Sequence, residues 1–182
     1  YYGKPYVWCY LGNFGGNSML AGNIDDISNK LERLFIEGGK NVNGIGATLE
    51  GFDVNPLMYE FVLEKAWNHS ITNSEWVRRW ALRRGGQDNH QILDAWDNLY
   101  TKIYVHHSTA GQSVLMNARP KLEGTDSWNT YPDIHYDNKD LWNIWYQLLS
   151  AKEVNSVGYR FDVINIGRQV LGNLFSDFRA SF

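Results

Sequence analysis

One cysteine, four prolines and no long apolar run set the first limits on this sequence of 182 residues. Cys9 stands alone, so no internal disulfide and no thiolate-based metal cluster can form. The five histidines, at 69, 90, 106, 107 and 135, fall into no HExxH or other zinc spacing. Adjacent His106 and His107 project to different sides of a helix or strand, so neither a metal nor any other cofactor is expected. No stretch approaches the roughly eighteen apolar residues of a membrane span, and no secretory apolar core opens the chain. Charge of one sign is also missing. With 17 basic against 20 acidic residues and no block of either, there is no clustered Lys/Arg surface for a phosphate backbone, which argues against a nucleic-acid partner.

Apolar residues make up 43% of the chain, enough to bury a core at this length. Aromatics reach 15%, with eight Trp and eleven Tyr. Such side chains stack on sugars and bases, but they also serve as large core residues, and packing accounts for most of them. The opening YYGKPYVWCYL lacks Met and is already strand-like, so the chain reads as a piece of something longer.

PYVWCYL, Pro5 to Leu11, is dense in aromatic and β-branched residues and predicts a strand buried on both faces. GNFGGN, Gly12 to Asn17, follows as a loop. DDISNKLERLFIEGG then carries helix start and stop signals, with Ile27, Leu31, Leu34 and Phe35 on one stripe. GIGATL predicts a second strand, Glu50-Gly51 a loop, and Pro56 suits the first turn of a helix. Strand, loop, helix, strand, loop, helix is two consecutive βα units, the building pattern of a parallel sheet or a (β/α)8 barrel. Two strands cannot close a barrel.

From residue 56 the pattern is helical. Tyr59, Val62, Leu63, Ala66 and Trp67 predict one apolar helix face. TNSE at Thr72–Glu75 is a capping box for a helix bearing Trp76, Val77, Trp80 and Ala81, which ends at RRGG. Asp88 is the expected cap of a third helix through Leu93, Trp96, Tyr100 and Ile103. Residues 107–137 show no sustained period, and irregular segments of that length are often functional. Helical pattern returns in KDLWNIWYQLLS and from about Gly158 onward. The expected fold is mainly α: a helical C-terminal domain, residues 68–182, behind a βα segment, residues 1–67.

Glu50 is the residue of chemical interest. At the C-terminal end of a barrel strand, rigid strand ends fix side chains while the loops are free to vary. A carboxylate there serves as nucleophile or general acid/base, or simply as a loop carboxylate accepting backbone N–H bonds. The loop after the first strand would emerge on the same side, with Asn13 and Asn17 offering amides and Trp8 and Phe14 apolar surface. That mixture suits a neutral polyhydroxylated ligand. Elsewhere, Arg83-Arg84 reads as a last-turn basic pair, and Arg160 and Asp162 as a structural ion pair or helix-start feature. Asn68-His69-Ser70 is a glycosylation sequon with meaning only in a eukaryotic secretory setting.

PYVWCYLGNFGGN, and LEGFDVNPLMYE after the intervening helix, resemble the late barrel and C-terminal region of glycoside hydrolase family 89, the α-N-acetylglucosaminidases. The resemblance runs on through Ala118–Pro120 and YRFDVINIGRQVL and covers essentially the whole chain. It implies the last one or two βα units of an incomplete (β/α)8 barrel followed by an all-α domain. It also implies a retaining exo-hydrolase of terminal α-linked N-acetylglucosamine, with Glu50 as catalytic nucleophile. The sugar-side residues carried over by the resemblance are Trp8, Cys9, Asn13 and Phe14, with His135 and Tyr136 from the helical domain. The acid/base glutamate belongs to an earlier barrel strand, so the partners implied are a glycan and an upstream barrel of the same polypeptide, and this piece alone is expected to be inactive. The family's compartments are secreted, periplasmic or lysosomal. This chain departs from the family's pattern at Gly12, where His is frequent, at Gly85, where an aromatic is usual, and at His135. A rival expectation is a non-catalytic helical module that binds or docks on a glycan; a second is a structural domain whose aromatics are all core.

Overall fold

The computed structural model describes residues 2–12, 20–50, 55–106 and 134–181. Strand β1 is Tyr6–Leu11, β2 is the two-residue Gly22–Asn23, helix α1 is Ile24–Glu37 and strand β3 is Val42–Thr48. β1 and β3 pair in parallel, Trp8 beside Ile45 and Leu11 beside Thr48, so α1 is the crossover that a parallel pair needs. Side chains alternate across the pair. Trp8, Tyr10, Ile45 and Ala47 pack on the helical core, whereas Val7 and Cys9 are exposed. Among the described residues the strand is therefore covered on one face, not on both. A continuous apolar run carries no alternation that could have distinguished the two cases.

Asn23 caps α1 by accepting from the Asp26 N–H (2.9 Å) and, with its other amide atom, donates to the Val105 carbonyl (2.9 Å). Val105–His106 is β4, which pairs antiparallel with β2, a ladder too short to leave any periodic signal in the sequence. Helix α2, Pro56–Lys65, starts on its proline as expected. Its buried face is Leu57, Met58, Tyr59, Phe61 and Val62; Leu63 and Trp67 are exposed, and Trp67 lies beyond the helix end. The predicted stripe was thus rotated, because α2 is covered over more than half its circumference. Helix α3, Asn73–Gly85, is capped by Thr72, which accepts from the Glu75 N–H (3.3 Å), and ends on left-handed Gly86 at φ 73°. Helix α4, His90–Asn98, is capped by Asn89 rather than Asp88 and runs into a π-helical turn at Leu99–Ile103. Helices α5, Asn138–Leu149, and α6, Val157–Ala180, complete the layer.

The aromatic excess is largely structural. Phe61, Trp76, Trp80 and Trp96 form a column with ring centroids 5.0, 5.6 and 5.6 Å apart, edge to face except for the stacked middle pair. One continuous core runs from Tyr10 and Leu20 through these rings to Leu148, Ile166 and Val170. Polar clasps cross it. Buried Asn55 donates to the Ala21 carbonyl (2.7 Å) and accepts from the Tyr104 hydroxyl (2.9 Å), while the Ile24 N–H donates to the Tyr104 carbonyl (3.0 Å). Asp25 accepts from both Asn73 (2.7 Å) and the Tyr100 hydroxyl (2.6 Å); partial burial and that carboxylate push the Tyr100 phenol up to about 12. Asn55→Ala removes the side chain that bonds both the Ala21 carbonyl and the Tyr104 hydroxyl and is expected to cost roughly 1–3 kcal/mol, read as a lowered urea midpoint. An unchanged midpoint would contradict the clasp.

Candidate active site

The parallel register brings the C-terminal ends of β1 and β3 together at Leu11 and Thr48. Glu50 lies two residues beyond Thr48 and is exposed. Gly12 lies one residue beyond Leu11, at the same end of the pair. The two exits are joined by a residue that the sequence pattern assigned only to a helix face. The Tyr59 hydroxyl accepts from the Gly12 N–H (3.1 Å) and donates to the Thr48 carbonyl (3.4 Å). Its ring meets Tyr10 edge to face, centroids 5.2 Å apart. One phenol on α2 therefore fixes where both strands release their chains. A tyrosine three residues into a helix opened by Asn-Pro is visible in the sequence; its reach back to two strand ends is not.

Gly12 is also explained here. A Cβ at this position would lie 2.6–2.8 Å from the Tyr10 ring and hydroxyl, and Tyr10 is buried. A side chain at 12 therefore requires the Tyr10 ring to move. Gly85 is similar: a Cβ there would stand 3.1 Å from Ile92 Cδ1, so a larger residue requires Ile92 to shift.

The other carried-over residues are placed unequally. Cys9 points to the open face of the β1–β3 pair, opposite Gly46, whose Cβ would meet its sulfur at 3.1 Å. Trp8 alternates to the opposite face and packs against the core. His135 is exposed, its ring centroid 6.5 Å from that of His106, and among the described residues no group of three His, Cys, Asp or Glu side chains could hold a metal ion. Tyr136 turns inward. It packs on Ala21, receives a hydrogen bond from Asn173 (3.5 Å), and burial pushes its phenol well above the ordinary range. Asn13, Phe14 and Asn17 lie outside the described residues.

Arg83 and Arg84 do close the last turn of α3, as expected, but one sequence-based pairing changes partner. Asp162 is bound by Arg84, not by Arg160: Arg84 Nε donates to Oδ2 (2.8 Å) and Nη2 to Oδ1 (2.5 Å). Arg84 is thus an interior anchor between α3 and α6, whereas its neighbour Arg83 remains at the surface on Glu60 (2.5 Å). A pairing across 78 positions leaves no local signal.

Tyr59→Phe keeps the ring and deletes the strap between the strand exits. This substitution is expected to cost about 1 kcal/mol of stability, read as a lowered urea midpoint. An unchanged midpoint would contradict the strap.

The comparisons agree with this architecture. Residues 1–69 match the model of the alpha-N-acetylglucosaminidase (NAGLU) tim-barrel domain, and residues 76–182 that of the alpha-N-acetylglucosaminidase (NAGLU) C-terminal domain. The human alpha-N-acetylglucosaminidase is 27% identical over 178 residues, covering 96% of this chain but 24% of its own length. Among solved structures, a family 89 glycoside hydrolase from Clostridium perfringens in complex with PUGNAc superposes with a TM-score of 0.82 at 24% identity, covering 97% of this chain and 21% of that one. A doubly Glu-to-Gln-substituted form of a family 89 enzyme from the same organism, in complex with its substrate GlcNAc-alpha-1,4-galactose, gives 0.83 at 24% identity, over 97% of this chain and 20% of that one. The chain spans about a quarter of the human relative's length and about a fifth of these structures. With family models accounting for both its βα segment and its helices, the chain belongs to the alpha-N-acetylglucosaminidase family.

Proposed function

We propose that this chain is the part of a retaining α-N-acetylglucosaminidase that supplies the catalytic nucleophile, Glu50, at the C-terminal end of a late barrel strand. The observation carrying this reading is the pair of parallel strands ending side by side, with Tyr59 strapping their exits and Glu50 two residues past one of them. Residues 1–67 are the closing βα elements of a (β/α)8 barrel, and residues 68–182 the helical domain joined to it through the shared core. The exposed face of β1, with Val7 and Cys9, then turns toward the barrel interior formed with the upstream strands of the same polypeptide.

In the reaction a Glu50 carboxylate oxygen attacks the anomeric carbon of a terminal α-linked N-acetylglucosamine. The glycosidic bond breaks as a second carboxylic acid, roughly 5–5.5 Å from Glu50, protonates the departing oxygen. The same second group, now a carboxylate, takes a proton from water, which attacks the glycosyl-enzyme and releases Glu50 as a carboxylate. That second group comes from an earlier strand, so residues 1–182 alone give no turnover above background. Of the sugar-side candidates, Cys9 and His135 are exposed to reach a ligand, while Trp8 and Tyr136 act from behind. A secreted, periplasmic or lysosomal setting fits a glycan substrate; no helix among the described residues is long and apolar enough to cross a membrane.

The test is the stereochemistry of the parent protein acting on an aryl α-N-acetylglucosaminide, followed by proton NMR. Release of the α-anomer first is expected. First release of the β-anomer would mean a single displacement and no nucleophile.

A further inference from the structure

Helix α6 is turned inside out. Its inward face carries Asp162, Asn165, Gln169 and Asn173, all buried. Hydrogen bonds hold that face: Arg84 donates to Asp162 (2.8 Å), the Leu20 N–H to Gln169 Oε1 (3.3 Å), and Gln169 Nε2 to Asn173 Oδ1 (2.7 Å). The outward face carries Val157, Phe161, Ile164, Leu171, Phe175 and Phe178, from 40% to 75% exposed. A surface helix shows the opposite division, and a helix that is apolar on the side away from its own core is a buried helix of something larger. The outward residues alternate four and three apart, with one position of the series taken by Arg168. That is the heptad spacing of a helix–helix seam, here about 32 Å long.

Arg168 stands at the centre of the seam, with three of these apolar residues on either side. It is half-buried, and burial holds its guanidinium below the ordinary range. Its Nε and Nη2 donate to Asn165 Oδ1 (3.4 and 3.3 Å), and among the described residues no carboxylate pairs with it. A guanidinium partly withdrawn from water in the middle of an apolar seam calls for an anion opposite. A second copy of α6 does not provide one. In full register, parallel or antiparallel, the central position meets itself and sets Arg168 against Arg168, which is repulsive. We propose that the outward seam of α6 is the docking face for another helix of the same parent polypeptide, from outside residues 1–182, with apolar residues along the seam and an Asp or Glu against Arg168. The relatives are long enough to contain such a segment: this chain covers 24% of the human protein and 21% of the solved structure bound to PUGNAc. The proposal needs the chain to be part of a longer polypeptide, not Glu50 to be the nucleophile, so a fully active Glu50→Gln leaves it standing.

The experiment starts from the unsubstituted parent protein, footprinted with a photogenerated carbene in native buffer and in urea and read by mass spectrometry. Labelling of Ile164, Leu171 and Phe175 should fall at least about ten-fold on folding, as for core side chains. Labelling undiminished by folding would overturn the proposal. Phe175→p-benzoylphenylalanine in the parent then captures the occupant on irradiation. The expected product is a crosslink within one polypeptide, to a helical segment outside residues 1–182 that bears a carboxylate. A crosslink to residues 1–182, a crosslink between two copies, or protection that appears only when phospholipid vesicles are added would each overturn it. Where the photoprobe at 175 prevents folding, the same probe at Val157, the far end of the seam, takes its place. Last, Arg168→Met and neutralisation of the captured carboxylate should each lower the thermal midpoint, and their combination should lower it no further than the larger single effect, because partners in contact are not additive. Simple additivity would overturn the pairing at Arg168, and with it the proposal.

Discussion

Glu50→Gln in the parent protein should lower kcat on an aryl α-N-acetylglucosaminide by at least about a thousand-fold, in keeping with the loss of a covalent nucleophile. The amide is nearly isosteric, so the strap from Tyr59 to Gly12 and Thr48 stays in place. KM should change little, because the substitution removes a group whose bond to the sugar forms only in the transition state. A good leaving group does not rescue the variant, since the missing step is attack on carbon and not protonation of the departing oxygen. This separates Glu50 from the acid/base role: loss of an acid is partly offset when the leaving group needs no proton. Equal recovery with an activated leaving group would reassign Glu50 as the acid.

Arg84→Met should destabilise the protein by roughly 3–5 kcal/mol, the cost of leaving one charge of a buried pair without its partner. Arg84 holds both oxygens of Asp162 and also donates to the Gly158 carbonyl (3.1 Å). Its guanidinium lies 5.1 Å from the Trp80 ring centroid and 5.4 Å from that of Phe161, and the Ser156 hydroxyl donates to the Arg84 carbonyl. Only 5% of the Asp162 side chain is exposed. Burial pushes its carboxyl from 3.8 up to about 6, against the pull of Arg84 and with some repulsion from Glu60. The guanidinium stays charged at any working pH, so the titrating member of the pair is Asp162.

A carboxyl raised on folding binds its proton more tightly in the native state. Its contribution to stability is full below about pH 4 and is lost as pH rises through 6. Without the arginine the carboxyl rises further, so the penalty of Arg84→Met should be larger at neutral pH than near pH 5. Amide hydrogen exchange across α3 and α6 at the two pH values reads this directly, and Asp162→Asn should flatten the difference. A penalty equal at both would contradict it.

How much of this was legible depended on whether the signal was local. Helix α3 was readable at both ends, because Thr72 with Glu75 and Arg84 with Gly85-Gly86 act within one turn of the residues they cap. The β1–α1–β3 unit was readable for the same reason, and Glu50 with it, as a carboxylate where an apolar strand ends. Tyr59 at Gly12 and Thr48, Asn55 at Ala21 and Tyr104, and Arg84 at Asp162 were not readable. Each joins positions that only the folded chain brings together, and each residue has an adequate local explanation that conceals the distant one. Trp8 and Cys9 are adjacent in the motif, but strand alternation sends them to opposite faces. Tyr136 is buried against Ala21 and accepts from Asn173, a long-range placement that its position in the sequence does not announce.

The central claim is that Glu50 forms the covalent bond. The direct measurement is to inactivate the parent protein with a 5-fluoro α-N-acetylglucosaminyl fluoride, whose ring fluorine slows both steps while the good leaving group lets the first proceed, and to map the labelled peptide by mass spectrometry. A single sugar adduct is expected, on the Glu50 carboxylate. An adduct on any other carboxylate, with Glu50 unmodified, would contradict it.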